Sequence, residues 1–162
     1  MATSLKNLSA IDAAQLPNGT KYRVGIVVSR WNEEVTGALL KGAVECLTEN
    51  GVKAKNITTV YVPGTFELAL GAQLLAKKES IDAVITIGCV IQGETRHFDF
   101  ICDAAANGIM NVGLNHNKPV IFGVLTTDNQ QQALDRSGGK HGNKGVEAAA
   151  TALQMIALQK NA

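Results

Sequence analysis

The feature that most constrains the fold is a nearly continuous apolar run, AVITIGCVI, at residues 83–91. A run of this length, rich in β-branched residues and without polar alternation, is typical of a strand that is buried on both faces of a parallel sheet. Shorter runs of the same kind lie at residues 22–29, 57–62 and 119–126. The sequence therefore predicts four strands.

Helical segments follow the strands. The first begins with an acidic turn at Glu33 and Glu34 and ends at Asn50-Gly51. The others are predicted at residues 66–79, about 95–115, about 129–135 and 146–159. This alternation predicts an α/β three-layer sandwich, with a mainly parallel four-stranded sheet and helices on both faces. We expect residues 1–20 to form a loose N-terminal segment and residues 21–162 a single domain.

The composition narrows the class of protein. The chain has 162 residues, of which 46% are hydrophobic, and a formal charge of +1, so we expect one globular domain without a nucleic-acid or membrane partner. No early apolar run has the length of a signal peptide. The cysteines, Cys46, Cys89 and Cys102, form no CxxC pair and lie in apolar stretches. Their pattern predicts core positions in a cytoplasmic protein.

Ligands of parallel sheets bind at the carboxyl ends of the strands. The chemistry is therefore expected in four loops, at residues 30–32, 63–67, 92–97 and 126–128. Motifs for dinucleotides, for P-loop phosphates, for zinc-protease ligands and for the hydrolase nucleophile elbow do not occur in them. The sequence predicts an enzyme that needs neither a redox cofactor nor a metal.

The third loop, GETRH at residues 93–97, is the most informative. Gly93 lets the backbone approach a ligand, and the helix that follows directs free N–H groups and a partial positive charge toward it, which suits a phosphate. His97 falls in the first helical turn, where the dipole disfavours the imidazolium form and favours a role in proton transfer. A purely structural, hydrogen-bonded histidine is the equally weighted alternative.

The first two loops carry aromatic and polar side chains. Trp31 offers a flat surface to a heteroaromatic ring, and Asn32 offers a donor and an acceptor to the edge of that ring. Phe66 and Glu67 offer a second aromatic surface and acceptors for hydroxyl groups. The alternatives are that Trp31 fills the core and that Glu67 is only the first-turn acid of its helix.

A flexible, glycine-rich connection is predicted at residues 136–145. It carries four basic or potentially basic side chains, those of Arg136, Lys140, His141 and Lys144. Arginine suits a phosphate oxyanion, and lysine adds a point charge. A solvated loop whose lysines compensate helix ends is the alternative.

Taken together, these segments resemble the 6,7-dimethyl-8-ribityllumazine synthase family, from about Tyr22 to the C-terminus. The resemblance rests on RWN at residues 30–32, VPGTFEL at 62–68, residues 88–100, PVIFGVLTT at 119–127 and GNKG at 142–145. It implies a flavodoxin-like fold and a transferase of the penultimate step of riboflavin biosynthesis. That enzyme condenses 5-amino-6-(D-ribitylamino)uracil with 3,4-dihydroxy-2-butanone 4-phosphate and releases phosphate and water.

The resemblance also implies roles for individual residues. His97 would transfer the proton, and Arg136 with the backbone of Glu94 and Thr95 would bind the phosphate. The remaining substrate-binding residues would hold the uracil substrate or complete the pocket: Trp31, Asn32, Thr65, Phe66, Glu67, Val90, Ile91, Phe122 and Lys144. Phe122 and Arg136 would come from the adjacent subunit of a homopentamer. The length of residues 137–145 matches family members whose pentamers form an icosahedral shell.

Three positions depart from the family pattern: Gln92, Glu94 and Ala69. A carboxylate at residue 94 repels a phosphate unless it turns outward or pairs with Arg96.

Two rival functions share this scaffold. An FMN electron carrier shares the element order, but residues 29–32 are too bulky for its phosphate loop. A non-catalytic flavin-binding, lumazine-binding or shell-forming protein is the alternative, and His97 and Arg136 speak against it.

Overall fold

The computed structural model describes residues 16–162, so most of the predicted N-terminal segment lies outside the described residues. Four strands, β1 (Val24–Ser29), β2 (Ile57–Val62), β3 (Ala83–Ile91) and β4 (Val120–Thr127), form one sheet. Their order is β2-β1-β3-β4, and every neighbouring pair is parallel. The predicted four-stranded α/β sheet is confirmed.

Helices cover both faces of the sheet, as predicted. They are α1 (Glu33–Glu49), α2 (Leu68–Ala76), α3 (His97–His116), α4 (Gln130–Arg136) and α5 (Lys144–Asn161), with a short 3-10 turn at Ala54–Asn56. Alternate side chains of β1 enter different cores because successive residues of a strand point to opposite faces. Ile26 and Val28 pack with α1 and α5, whereas Val27 packs with α2 and α3.

The glycine-rich segment is more regular than predicted. Residues 137–143 form a short antiparallel hairpin of β5 (Ser137–Gly139) and β6 (Gly142–Asn143), and its flanking basic residues are helical. Gly138 and Gly142 have φ values of +127° and +80°, which favour glycine. Asn143 caps α5 by accepting a hydrogen bond from Gly145 N at 2.8 Å. The segment is thus a structured joint between α4 and α5.

The strand order places a crevice where a ligand is expected. The connection after β1 leads to β2 on one side, and the chain then crosses back to β3 on the other side of β1. Loops that diverge at such a switch point leave an opening at the carboxyl ends of β1 and β3.

Two further expectations concern the same described residues. No helix within residues 16–162 is long and apolar enough to cross a membrane. The cysteines form no disulfide; Cys46 and Cys89 are buried in the core, as predicted, and Cys102 is only partly buried.

Candidate active site

Asn32 joins the loops that follow β1 and β3. Its Nδ2 donates a hydrogen bond to the carbonyl oxygen of Cys89, at 2.9 Å. The residue adopts a left-handed conformation with φ of 59°, which is uncommon for a side-chain-bearing residue and recurs at functional sites. One donor of the Asn32 amide is therefore already used to hold the crevice together, and its acceptor oxygen remains for a ligand.

Trp31 is not a core residue. Its side chain is 67% exposed, so the interpretation as core filler is wrong. The indole lies over Gly64 of the second loop, where an added Cβ would come within 2.8 Å of Cε3. Trp31 N also donates to the carbonyl oxygen of Pro63 at 3.2 Å. The ring is thus positioned by backbone contacts and presents its surface outward.

The second loop is closed by Glu67. Its Oε2 accepts a hydrogen bond from Gly64 N at 2.9 Å, which fixes the loop and leaves Oε1 for a ligand. Phe66 is 58% exposed beside it. Thr65 is buried against β3, since a Cβ at Gly88 would lie 2.9 Å from Thr65 Oγ1. Two small residues, Gly64 and Gly88, therefore let the first three loops pack closely.

The third loop leads into the longest helix. Val90 and Ile91 are half-buried at the end of β3, while Glu94, Thr95 and His97 are exposed. Around Gly93 an added Cβ would meet no atom within 4 Å, so the backbone there is open to a ligand. His97 is the first residue of α3, and its N donates to Thr95 Oγ1 at 3.4 Å. The helix N-terminus faces open space, which suits an anion.

Of the two arrangements that would relieve repulsion between Glu94 and a phosphate, the pairing of Glu94 with Arg96 does not form. Arg96 Nε instead lies 3.5 Å from Asp99 Oδ2. Cys89, although close to the crevice, is no candidate nucleophile because burial raises the pKa of its thiol to about 11.

We call the residues at the carboxyl ends of β1, β2 and β3 the loop cluster. They are Trp31, Asn32, Thr65, Phe66, Glu67, Val90, Ile91, Glu94, Thr95 and His97. The other three predicted site residues, Phe122, Arg136 and Lys144, lie on or after the edge strand β4, and we call them the edge group.

Phe122 and Lys144 line one cavity of about 290 Å³ between β4 and α5. Glu147 lines it too, and its Oε2 accepts from Lys144 Nζ at 2.7 Å. Sequence reasoning missed Glu147; the available signal was its spacing three residues after Lys144 on a helix. Arg136 and Lys144 flank the hairpin, whose residues Ser137 and Asn143 pair with one another.

Phe122 is separate from the loop cluster of its own chain. Phe122 pairs with Thr86 of β3, five residues before the end of that strand at Ile91. At about 3.3 Å per residue, this places Phe122 roughly 16 Å from the carboxyl end of the sheet. Within one subunit, Phe122 therefore lies apart from the loop cluster.

The pattern that defines the 6,7-dimethyl-8-ribityllumazine synthase family matches residues 21–160. The chain belongs to this family. The 6,7-dimethyl-8-ribityllumazine synthase of Cytophaga hutchinsonii is 61% identical over 97% of this chain and 98% of its own length. Its counterpart in Porphyromonas gingivalis is 51% identical over 99% of both chains. The counterpart in Flavobacterium johnsoniae is 50% identical over the whole of this chain and 85% of its own length.

Lumazine synthase family membership accounts for the arrangement of the loops. The segments that match the family pattern include all four loops at the carboxyl ends of the strands and the joint between α4 and α5. The resemblance expected from the motifs is confirmed.

Proposed function

We propose that the chain is a transferase that condenses 5-amino-6-(D-ribitylamino)uracil with 3,4-dihydroxy-2-butanone 4-phosphate to 6,7-dimethyl-8-ribityllumazine, in the penultimate step of riboflavin biosynthesis. The observation that carries the proposal is the match to relatives of that name over nearly the whole chain. The loop cluster supports it, because an exposed indole, polar groups and a helix N-terminus suit one heteroaromatic and one phosphorylated substrate.

The chemistry needs proton transfer more than a strong nucleophile. The 5-amino group of the uracil adds to the ketone and water leaves, which gives an imine. Phosphate is then eliminated, which leaves a second carbonyl group after tautomerisation. The ribityl-bearing nitrogen adds to this carbonyl and closes the second ring with loss of a second water. We assign the proton transfers to His97, because it is exposed at the start of α3 and lies beside the open backbone at Gly93.

Each substrate has its own part of the site. Trp31 stacks on the pyrimidinedione, and the ring edge and ribityl chain bind to Asn32, Phe66 and Glu67. The backbone of Thr65, Val90 and Ile91 completes this part. The phosphate binds to the backbone of Glu94 and Thr95 and to Arg136, since guanidinium groups suit phosphate oxygens.

The separation of Phe122 from the loop cluster supports a site shared between subunits. In this arrangement Phe122 and Arg136 of one subunit enter the pocket of the next, and Lys144 lies near the ring-binding end. Among residues 16–162, eleven large apolar side chains are exposed, including Leu70, Leu114 and Leu158. Five of the eleven line one groove between α3, β4 and α5, which favours burial of that groove between copies: Met110, Leu114, Phe122, Met155 and Leu158. We propose a homopentamer of cytoplasmic subunits, each a single domain of residues 21–162, that assembles into an icosahedral shell.

Incubation of the purified protein with both substrates tests the proposed reaction. We expect lumazine fluorescence to appear with the stoichiometric release of phosphate. The alternative, a non-catalytic flavin-binding or lumazine-binding protein, predicts binding of the product without its formation. The absence of both fluorescence and phosphate release at saturating substrate concentrations would contradict the proposal.

A further inference from the structure

Asp135 fastens the hairpin to the end of α4. Its side chain is only 11% exposed, and its Oδ2 lies 2.9 Å from Lys140 Nζ at the tip of the hairpin. Its Oδ1 accepts from Gln131 Nε2 at 2.9 Å, one turn earlier in α4. The backbone adds a third contact, from His141 N to the carbonyl oxygen of Asp135 at 2.8 Å.

The Asp135 carboxylate is ionised at neutral pH in this arrangement. The hydrogen bond from Gln131 and the contact with Lys140 hold the pKa of Asp135 below its ordinary value, against the opposite effect of burial. A carboxylate forms stronger hydrogen bonds than a neutral carboxyl group, and here each of its oxygens has one donor. The tip of the hairpin is therefore held in place relative to the last turn of α4.

Arg136 is the next residue along the chain. Its Nη1 donates to the carbonyl oxygen of Gln132 at 3.1 Å, and within residues 16–162 no carboxylate lies within ion-pair distance of its guanidinium. Asp135 is the nearest acid in sequence, and Lys140 occupies its carboxylate. The guanidinium thus carries an unneutralised charge next to the hairpin that Asp135 holds against α4.

We propose that Asp135 and Lys140 act as a pair of positioning residues for Arg136. Lys140 holds the Asp135 carboxylate away from the guanidinium and fixes the end of α4, so that Arg136 meets the phosphate of the butanone substrate in one geometry. The inference rests on the proposed role of Arg136. Positioning matters here because a displacement of about 1 Å from the productive geometry is enough to reduce turnover.

The test compares Asp135→Asn, Lys140→Met and Lys140→Arg with the unchanged protein, using KM for each substrate, kcat and particle mass. Asp135→Asn and Lys140→Met should each raise KM for the butanone phosphate about tenfold. KM for the uracil substrate and the particle mass should stay the same, and Lys140→Arg should restore the affinity. The double variant should be no worse than either single one, because the two residues act as a unit. Lys140 is 66% exposed, so its substitution leaves the fold intact even if Asp135→Asn does not.

Arg136→Ala is measured in parallel and separates the two claims. If it leaves KM for the butanone phosphate unchanged, the proposed role of Arg136 in phosphate binding is wrong. If it raises that KM while Asp135→Asn and Lys140→Met do not, only the positioning inference is overturned. An effect of Lys140→Met without one of Asp135→Asn would mean that Lys140 contacts the phosphate itself, and would also overturn the inference.

Discussion

Side-chain exposure at the crevice distinguishes residues that are accessible to a ligand from residues that pack within the fold. Trp31 and Phe66 expose most of their rings, whereas Thr65 beside them is buried against Gly88. Removal of an exposed ring takes little away from the core, so its effect on substrate binding can be measured without loss of the fold.

Trp31→Ala should weaken binding of the uracil substrate. Lost stacking is worth about 0.5 to 1.5 kcal/mol beyond buried area, so we expect KM for that substrate to rise roughly two- to twelvefold. Trp31→Phe keeps a ring over Gly64 and serves as the control, with a smaller rise. The melting temperature should not change. A lower melting temperature with unchanged KM would show that the ring has a structural role.

His97→Ala should slow turnover with little change in stability. General acid–base catalysis contributes about 10²- to 10⁴-fold, and kcat should fall within that range. His116, at the opposite end of the same helix, provides the matched control, since His116→Ala removes an imidazole far from the loop cluster. A rate unaffected by His97→Ala would remove this residue from the mechanism.

At the scale of elements, the sequence predicted the bounds of the strands that are set by neighbouring residues. The bounds of β2 and β3 agree with prediction, since a Pro-Gly pair ends the first and the length of the apolar run sets the second. Helix α2 is shorter than predicted because Glu67 folds back to Gly64 N before it, and Lys118 Nζ binds the carbonyl oxygens of Ala76 and Lys78 at its end. The contacts of Lys118 span 42 and 40 residues, and contacts of that range leave no periodic pattern in the sequence.

Prediction of the site was limited in the same way. The strand order predicted which loops form the site, and the family motifs supplied the proposed roles of their residues. The bond from Asn32 to Cys89 spans 57 residues, and the hairpin strands contain only three and two residues, too few for an alternating pattern. The glycines at residues 138–145 predicted a flexible connection, although Gly138 and Gly142 have positive φ values and Gly139 and Gly145 are required by close packing against backbone atoms.

Gly145→Ala should destabilise the protein strongly. A Cβ at this position would lie only 1.9 Å from the carbonyl oxygen of Leu39, so α1 and α5 would have to move apart. Gly37→Ala is the control, because an added Cβ there meets no atom within 4 Å and the residue lies inside α1. That substitution should raise the free energy of unfolding by about 0.5 to 1 kcal/mol. Equal melting temperatures for the two variants would contradict the close contact of α1 and α5.

At the scale of the whole molecule, the question is which subunit supplies each part of the site. The loop cluster lies at the carboxyl end of the sheet, and Phe122 is the third of the eight residues of the edge strand β4. No rearrangement of side chains within one subunit bridges roughly 16 Å along the strand. In the proposed cyclic assembly, every subunit offers its edge group to one neighbour and receives the edge group of the other neighbour.

Mixed assembly tests this arrangement directly. Co-expressed His97→Ala and Arg136→Ala subunits each lack one essential residue, and particles of either variant alone should be nearly inactive. In a random equal mixture, about one quarter of the sites combine an intact His97 with the neighbour's intact Arg136, so about one quarter of normal activity should return. A mixture of His97→Ala with His97→Gln is the control, and it should stay inactive because no combination restores the histidine. If each site lay within a single subunit, the first mixture would remain as inactive as the control.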